Sequence, residues 1–348
     1  MPWTTWWSEG EISSAPMSMR PSRAQESGFA GVGLTYCRVP LVLEPEGLAG
    51  VDVAIIGAPF DDGVSYRSGT RFGPRAIRQA EDVGSPSERP HMELGVDPLA
   101  ELRVVDYGDV DTVPADLPAS QANLRTAIGQ ALAAGATPVV LGGDHSLSYP
   151  TMQALADRFG PDGYSVVHFD THADTGAEIH GNTNNHGTPF YLAVAEGVLR
   201  GQNIVQVGLR GAWPYPDEFQ WMRDQGFRWH TMGEIDDRGL GAVLDDAIAH
   251  AAARAPRTYL TVDIDVLDPA FAPATGTPEP GGLTTRELLR AVRRVTSELD
   301  VCAFDLVEVS PPYDHAGVTA WAGHRVVLEG LSGMALRRSG RAARPERP

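Results

Sequence analysis

The chain has 348 residues, 42% hydrophobic and 21% charged, with a formal net charge of −17. It is long enough for a large core and near the upper limit of one α/β domain. Its acidity argues against nucleic acid or an anionic membrane as partner and would attract metals and amine-like molecules, although acidity alone also serves solubility. Cys37 and Cys302 are too few for a disulfide framework, which fits a reduced, cytoplasmic setting. Residues 1–7 do not form a Sec signal, and no apolar run reaches the roughly 18 residues of a membrane span.

In chain order, residues 1–48 are Ser/Pro/Gly-rich and carry Trp3, Trp6 and Trp7. They are expected to form an extension with little regular structure, either anchored through its tryptophans or left as a partly ordered tail. From Val51 the pattern becomes strand, loop, helix, repeated. Strands are expected at Val51–Ala58, Leu102–Asp106, Thr137–Leu141, Ser165–Phe169, Asn203–Val207, Phe227–Thr231, Thr258–Val262 and Val301–Leu306. Helices are expected at Pro74–Ala80, Ala119–Ala134, Tyr149–Arg158, Pro189–Glu196, Asp217–Gln225, Leu240–Ala253, Thr285–Leu299 and Thr319–Arg337, with Asp217 and Thr284 or Thr285 as N-caps. Several strands are unbroken Val/Ile/Leu-rich runs, the mark of strands buried on both faces. The expected fold is a three-layer α/β/α domain over residues 49–336 with a central, mostly parallel, roughly eight-stranded sheet, followed by a basic tail at 337–348.

The most informative run is Asp170-Thr171-His172-Ala173-Asp174, directly after the apolar strand Ser165–Phe169. Alternate positions of an extended segment face one way, so Asp170, His172 and Asp174 converge. Their desolvation is costly unless a cation offsets it. Asp263 and Asp265 end another apolar run, and His145, in Gly142-Gly143-Asp144-His145-Ser146, follows a third. Four carboxylates and two imidazoles at strand ends suit two bridged divalent ions better than one, and ligands of open α/β sheets bind at strand C-terminal ends.

Together these three motifs, the last continuing as Asp263-Ile264-Asp265-Val266-Leu267-Asp268-Pro269, resemble the ureohydrolase superfamily, which includes arginase and agmatinase. The resemblance runs from about Val51 to Gly333. Ser68-Gly69-Thr70-Arg71-Phe72-Gly73-Pro74, His186-Gly187-Thr188-Pro189-Phe190 and Gly276–Leu283 support it. It implies two Mn²⁺ ions (Ni²⁺ as an alternative) on His145, Asp170, His172, Asp174, Asp263 and Asp265. It also implies His186 as proton-transfer residue, Glu308 as guanidinium holder, a homotrimer or homohexamer, and cleavage of a small cationic guanidino compound to urea and an amine. Agmatine is the first choice of substrate; 4-guanidinobutyrate, 3-guanidinopropionate and guanidine are alternatives. A single-metal deacetylase-like hydrolase and a non-catalytic binding relative are remoter ones.

The remaining residues receive quieter readings. His168 lies within its strand and reads as a satisfied buried histidine. Asp144 and Asp268 read as supporting groups or turn caps, and Gly69, Gly73, Gly281 and Gly282 as turn residues. His180, His230 and His250 read as surface or structural. Trp321 would either shorten the pocket or pack on the core face of its helix.

Overall fold

The computed structural model describes residues 35–80, 90–212 and 214–340. The three early tryptophans and the last eight residues lie outside that range. All eight expected strands form: β1 (Val53–Ala58), β2 (Val104–Asp109), β3 (Thr137–Gly142), β4 (Ser165–Phe169), β5 (Ile204–Leu209), β6 (Arg228–Thr231), β7 (Thr258–Asp263) and β8 (Val301–Val307). They make one sheet in the order β2-β1-β3-β8-β7-β4-β5-β6. Every pairing is parallel, as in Val139 with Phe304 and Phe169 with Val262.

The helices are α1 (Gly73–Gln79), α2 (Pro98–Glu101), α3 (Leu117–Ala133), α4 (Ser148–Phe159), α5 (Pro189–Ala195), α6 (Pro216–Gln225), α7 (Met232–Arg238), α8 (Leu240–Arg254), α9 (Thr285–Glu298) and α10 (Val318–Ser339). Two were not expected. Helix α2 is a single turn, and α7 is set off from α8 only by Gly239, whose φ of 81° breaks the helical path. Thr284 is the N-cap of α9, within a reciprocal capping box with Glu287, a device that stabilises by about 1 kcal/mol. Asp217 is not a cap. Tyr215 occupies that position in α6 and Pro216 takes the first helical place, which moves Asp217 into the first turn.

Side chains alternate across the strands. Ile55, Val139, Val207 and Leu260 pack with α1, α8, α9 and α10 on one face. Ala54, Ile56, Val140 and Tyr259 pack with α3, α4, α5 and α6 on the other. The result is the expected three-layer α/β/α arrangement.

The chain just before β1 is bound into the body. Tyr36 and Cys37 are buried. The Tyr36 hydroxyl donates to His324 O at 2.8 Å, and the Tyr36 N–H donates to Asp106 Oδ2 at 2.8 Å. Arg78 clasps both oxygens of Asp106, each at 2.8 Å, in a pair almost closed to water. The last helix continues to Ser339, past the expected start of the tail.

Candidate metal centre

The strands that carry the proposed ligands and Glu308 are the four central ones, β3, β8, β7 and β4, which are neighbours in the sheet. Their C-terminal ends therefore open at one place. His145 follows β3 in a 3-10 turn capped by Asp144, whose Oδ1 accepts the Ser146 N–H at 2.9 Å. Asp170, His172 and Asp174 leave β4. Asp263 ends β7, Asp265 sits in the turn Ile264–Val266, and Glu308 follows β8.

The structure brings all six expected ligands together. His145 Nδ1 lies 3.0 Å from Asp170 Oδ2, 3.0 Å from Asp174 Oδ2 and 3.3 Å from Asp263 Oδ2. Its Nε2 is 2.9 Å from Thr261 Oγ1, so a proton there points the Nδ1 lone pair at the carboxylates. His172 Nδ1 lies 3.2 Å from Asp265 Oδ2 and 3.5 Å from Asp170 Oδ1. The two oxygens of Asp170 thus face two separate donor sets, the geometry of a bridging carboxylate.

The electrostatics ask for positive charge. Burial and the neighbouring carboxylates push Asp263 well above the usual carboxylate range and Asp265 up to about 6. Burial opposes protonation of His145, but Asp170, Asp174 and Asp263 outweigh it and raise its pKa well above that of free imidazole. His145 Nδ1 and Asp265 Oδ2 are buried without a hydrogen-bond partner. Orphaned donor atoms of this kind, among two imidazoles and four carboxylates, fit divalent first-row ions.

His168, read from the sequence as a satisfied buried histidine, is fully buried and lies within the first donor set. Its Nδ1 is 3.0 Å from Gln206 Nε2, whose amide also donates to Ala173 O at 2.7 Å. The ring therefore carries its proton on Nε2 and donates it to Asp170 Oδ2 at 2.8 Å. Burial lowers its pKa, in keeping with a neutral ring. Phe190 packs against it with ring centroids 4.5 Å apart.

His186 and Glu308 also meet. His186 Nδ1 is 3.0 Å from Glu308 Oε1, and its Nε2 is 3.1 Å from the Ser65 N–H and 2.7 Å from Ser65 Oγ. Burial disfavours the imidazolium, but the Glu308 carboxylate prevails and the His186 pKa is pushed up to about 9. The Ser65 N–H donates to Nε2, so in this geometry Nε2 is the acceptor and Nδ1 carries the ring proton toward Glu308. Glu308 Oε2 is buried and unpartnered. Glu308 and Asp174 hold left-handed backbone, at φ 64° and 53°. Such strain in non-glycine residues persists where surrounding structure over-determines it, often at functional sites.

A cavity of about 310 Å³ is lined by His172, Asp174, Asp263 and His186 together with Glu178, Ile179, Tyr215 and Glu218. Burial, then Asp217, raises the Glu218 pKa. Among the described residues no arginine lines this cavity, and the chain has no lysine at all. Sequence reasoning missed Ser65, Glu178 and Glu218, which no local pattern marks. His180, read as surface or structural, lines the cavity too. His250 is structural, with Nε2 2.9 Å from Gln202 O, and His230 is buried 3.0 Å from Glu234. Trp321 satisfies neither expectation: the residue is 44% exposed, does not line the cavity, and lies beside Gly317. Asp268 caps its turn by accepting from the Ala270 and Gly281 N–H groups.

Comparison with known proteins agrees with this geometry. The model of the arginase family matches residues 51–332. Proclavaminate amidinohydrolase of Streptomyces clavuligerus is 40% identical over 286 residues, covering 82% of this chain and 88% of that protein. Its solved structure superposes with a TM-score of 0.79 at 36% identity, covering 88% of this chain and 98% of that one. The mitochondrial agmatinase of Gallus gallus is 40% identical over 294 residues (84% and 83% of the two chains). A guanidinobutyrase of Pseudomonas aeruginosa is 40% identical over 304 residues (87% and 92%). The chain belongs to the arginase family, whose members depend on a binuclear metal centre, and it is a hydrolase of C–N bonds in linear amidines.

Proposed function

We propose that this arginase-family hydrolase cleaves agmatine to putrescine and urea. Two divalent ions would be held by His145, Asp170, Asp174 and Asp263 on one side and by Asp170, His172 and Asp265 on the other. When bound, such a pair lowers the pKa of water and supplies a nucleophile at neutral pH.

The chain's own groups do the rest. Guanidinium is planar, cationic and a poor electrophile. The unpartnered Oε2 of Glu308 is placed to accept its N–H groups by charge-assisted hydrogen bonds and to orient the central carbon. Water oxygen, having lost one proton to solvent, bonds to that carbon; as the bond from carbon to the substrate's chain nitrogen breaks, the remaining O–H proton leaves to restore His186 and the urea carbonyl closes. The departing nitrogen must take a proton, because an amide-like anion cannot leave. His186 would supply it as the imidazolium that Glu308 favours at Nδ1, once Nε2 has exchanged its Ser65 contact for a proton. His168, Gln206 and Thr261 hold the first row of ligands in place.

The observation that carries the metal assignment is Asp170, one carboxylate shared by two donor sets. The choice of an amine-bearing substrate rests on the cavity wall. A carboxylate tail, as in 4-guanidinobutyrate or 3-guanidinopropionate, would meet Glu178 and Glu218 and no described arginine, whereas an ammonium tail complements both. The test is urea release after loading with Mn²⁺, and separately Ni²⁺, on agmatine, arginine, 4-guanidinobutyrate, 3-guanidinopropionate and guanidine. Agmatine should give the highest kcat/KM; a guanidino acid ahead of it would overturn the choice.

A further inference from the structure

Arg210 directly follows β5 and stands between the loops that carry Asp170, His172 and Asp265. Its backbone N–H donates to Thr171 O at 3.1 Å, inside the Asp170-Thr171-His172 run. Its guanidinium donates to Asp265 O at 2.8 Å, Val266 O at 3.2 Å and Leu267 O at 3.2 Å on one side. On another it reaches Glu279 O at 2.6 Å and Pro280 O at 3.1 Å, and it closes on Gly208 O at 3.4 Å. Every one of these acceptors is a main-chain carbonyl. A planar fork of five donors suits such an array, and an ammonium does not.

The two carboxylates at the end of β7 are held differently. Asp263 is the last residue of the strand and sits in register with Val307 of β8. Asp265 lies beyond the ladder, in the turn Ile264–Val266. The Asp265 N–H donates to Asp263 Oδ1 at 2.8 Å and its carbonyl accepts from Arg210. Its side chain completes the second donor set, 3.2 Å from His172, with Oδ1 accepting the Thr171 N–H at 3.3 Å. The packing around Arg210 is close. A Cβ on Gly282 would fall 2.6 Å from the guanidinium. One on Gly208, at φ 111°, would fall 2.9 Å from Asp170 O.

We propose that Arg210 is a positioning residue for one of the two metal positions, that of Asp170, His172 and Asp265, and not for the other. The other position takes His145 from the β3 turn, Asp174 from beyond Asp170 and Asp263 from within a strand, none of which Arg210 touches through its guanidinium. This rests on the two-metal reading above and adds an asymmetry to it: Arg210 fixes the main chain of the second set, so its removal frees Asp265 while leaving the first set intact.

The test measures metal, not only turnover. Full-length protein is loaded with Mn²⁺, and bound metal per chain is measured after gel filtration. Titration calorimetry gives the two affinities, and the exchange-coupled dimanganese signal is read by electron paramagnetic resonance. Arg210→Met should keep one ion at wild-type affinity, bind the second tenfold or more weakly, and lose the coupled signal, since supporting groups around metal ligands typically contribute 10–100-fold in affinity. Arg210→Lys, with three donors for six carbonyls, should fall between the two. Wild-type affinity at both positions in Arg210→Met, or equal weakening at both, would overturn the proposal. Should Arg210→Met fail to fold, Arg210→Lys decides by the same readout, and an unchanged second affinity overturns it. Binding of a single ion by the wild type would instead sink the two-metal reading, and is seen before any variant is compared.

Discussion

His186 Nδ1 lies 3.0 Å from Glu308 Oε1, and that same oxygen accepts the His145 backbone N–H at 3.0 Å. One carboxylate oxygen therefore ties the proposed proton-transfer histidine to the His145 loop, and the other oxygen has no hydrogen-bond partner. Glu308→Gln keeps the size and an acceptor but removes the charge. It should leave metal content unchanged and lower kcat/KM for the guanidino substrate by roughly 100-fold or more, the scale of losing a charge-aligned contact to the reacting group. It should also bring the His186 pKa down from about 9, because the carboxylate that raises it is gone. Metal analysis, urea release and imidazole NMR read the three effects, and wild-type turnover in this variant would end the assigned role.

Metal affinity should depend on pH through the ligand carboxylates. In the metal-free protein Asp265 titrates at about 6 against a usual 3.8, so the folded chain binds more protons there than the unfolded chain between these values. A raised carboxylate contributes stability that is full below pH 3.8 and is lost as pH rises through 6. Bound cation reverses this by favouring the ionised form. The difference in Tm between metal-loaded and metal-free protein should therefore widen as pH rises from 5 to 7, and calorimetric scans at several pH values check it. A constant difference would place the metal on other ligands.

Glu218→Gln should act on substrate choice. It keeps the side-chain volume on the cavity wall and removes one negative charge near the proposed tail. KM for agmatine should rise several-fold with kcat little changed, and the relative kcat/KM for 4-guanidinobutyrate should improve. Steady-state kinetics on both substrates decide it; parallel loss on both would show that Glu218 does not read the tail.

Arg78→Met tests the clasp on Asp106. It leaves the buried Asp106 carboxylate with the Tyr36 and Gly108 N–H groups but without its principal charge partner, a change that costs about 3–5 kcal/mol. Urea unfolding should show that loss, and Asp106→Asn added to Arg78→Met should recover part of it.

The fold was legible where apolar runs were unbroken. A strand such as β4, buried on both faces, announces itself without a partner in view, and its proposed ligands follow within five residues. Helix α7 was hidden because a lone glycine is its only boundary with α8. The outward face of Trp321 was hidden because α10 is buried around most of its circumference, so no apolar stripe shows which way any one side chain turns. Ser65, Gln206, Arg210 and Glu218 reach the site through space from loops, a neighbouring strand and a helix start. Periodicity carries no trace of such contacts. His168 could be placed from its strand alone, since a residue two positions before Asp170 stays inside the layer.

The sheet order has a temporal consequence. Val139 pairs with Phe304, so β3 and β8 are neighbours although most of the domain separates them along the chain. During synthesis the His145 loop leaves the ribosome long before Glu308, and β7 with Asp263 and Asp265 emerges in between. Parallel pairings across such distances form late and slowly, and the six donors converge only after they form. Because β8 stands between β3 and β7, a nascent chain that ends before β8 carries the six donor residues without the strand that sets the His145 loop beside Asp263.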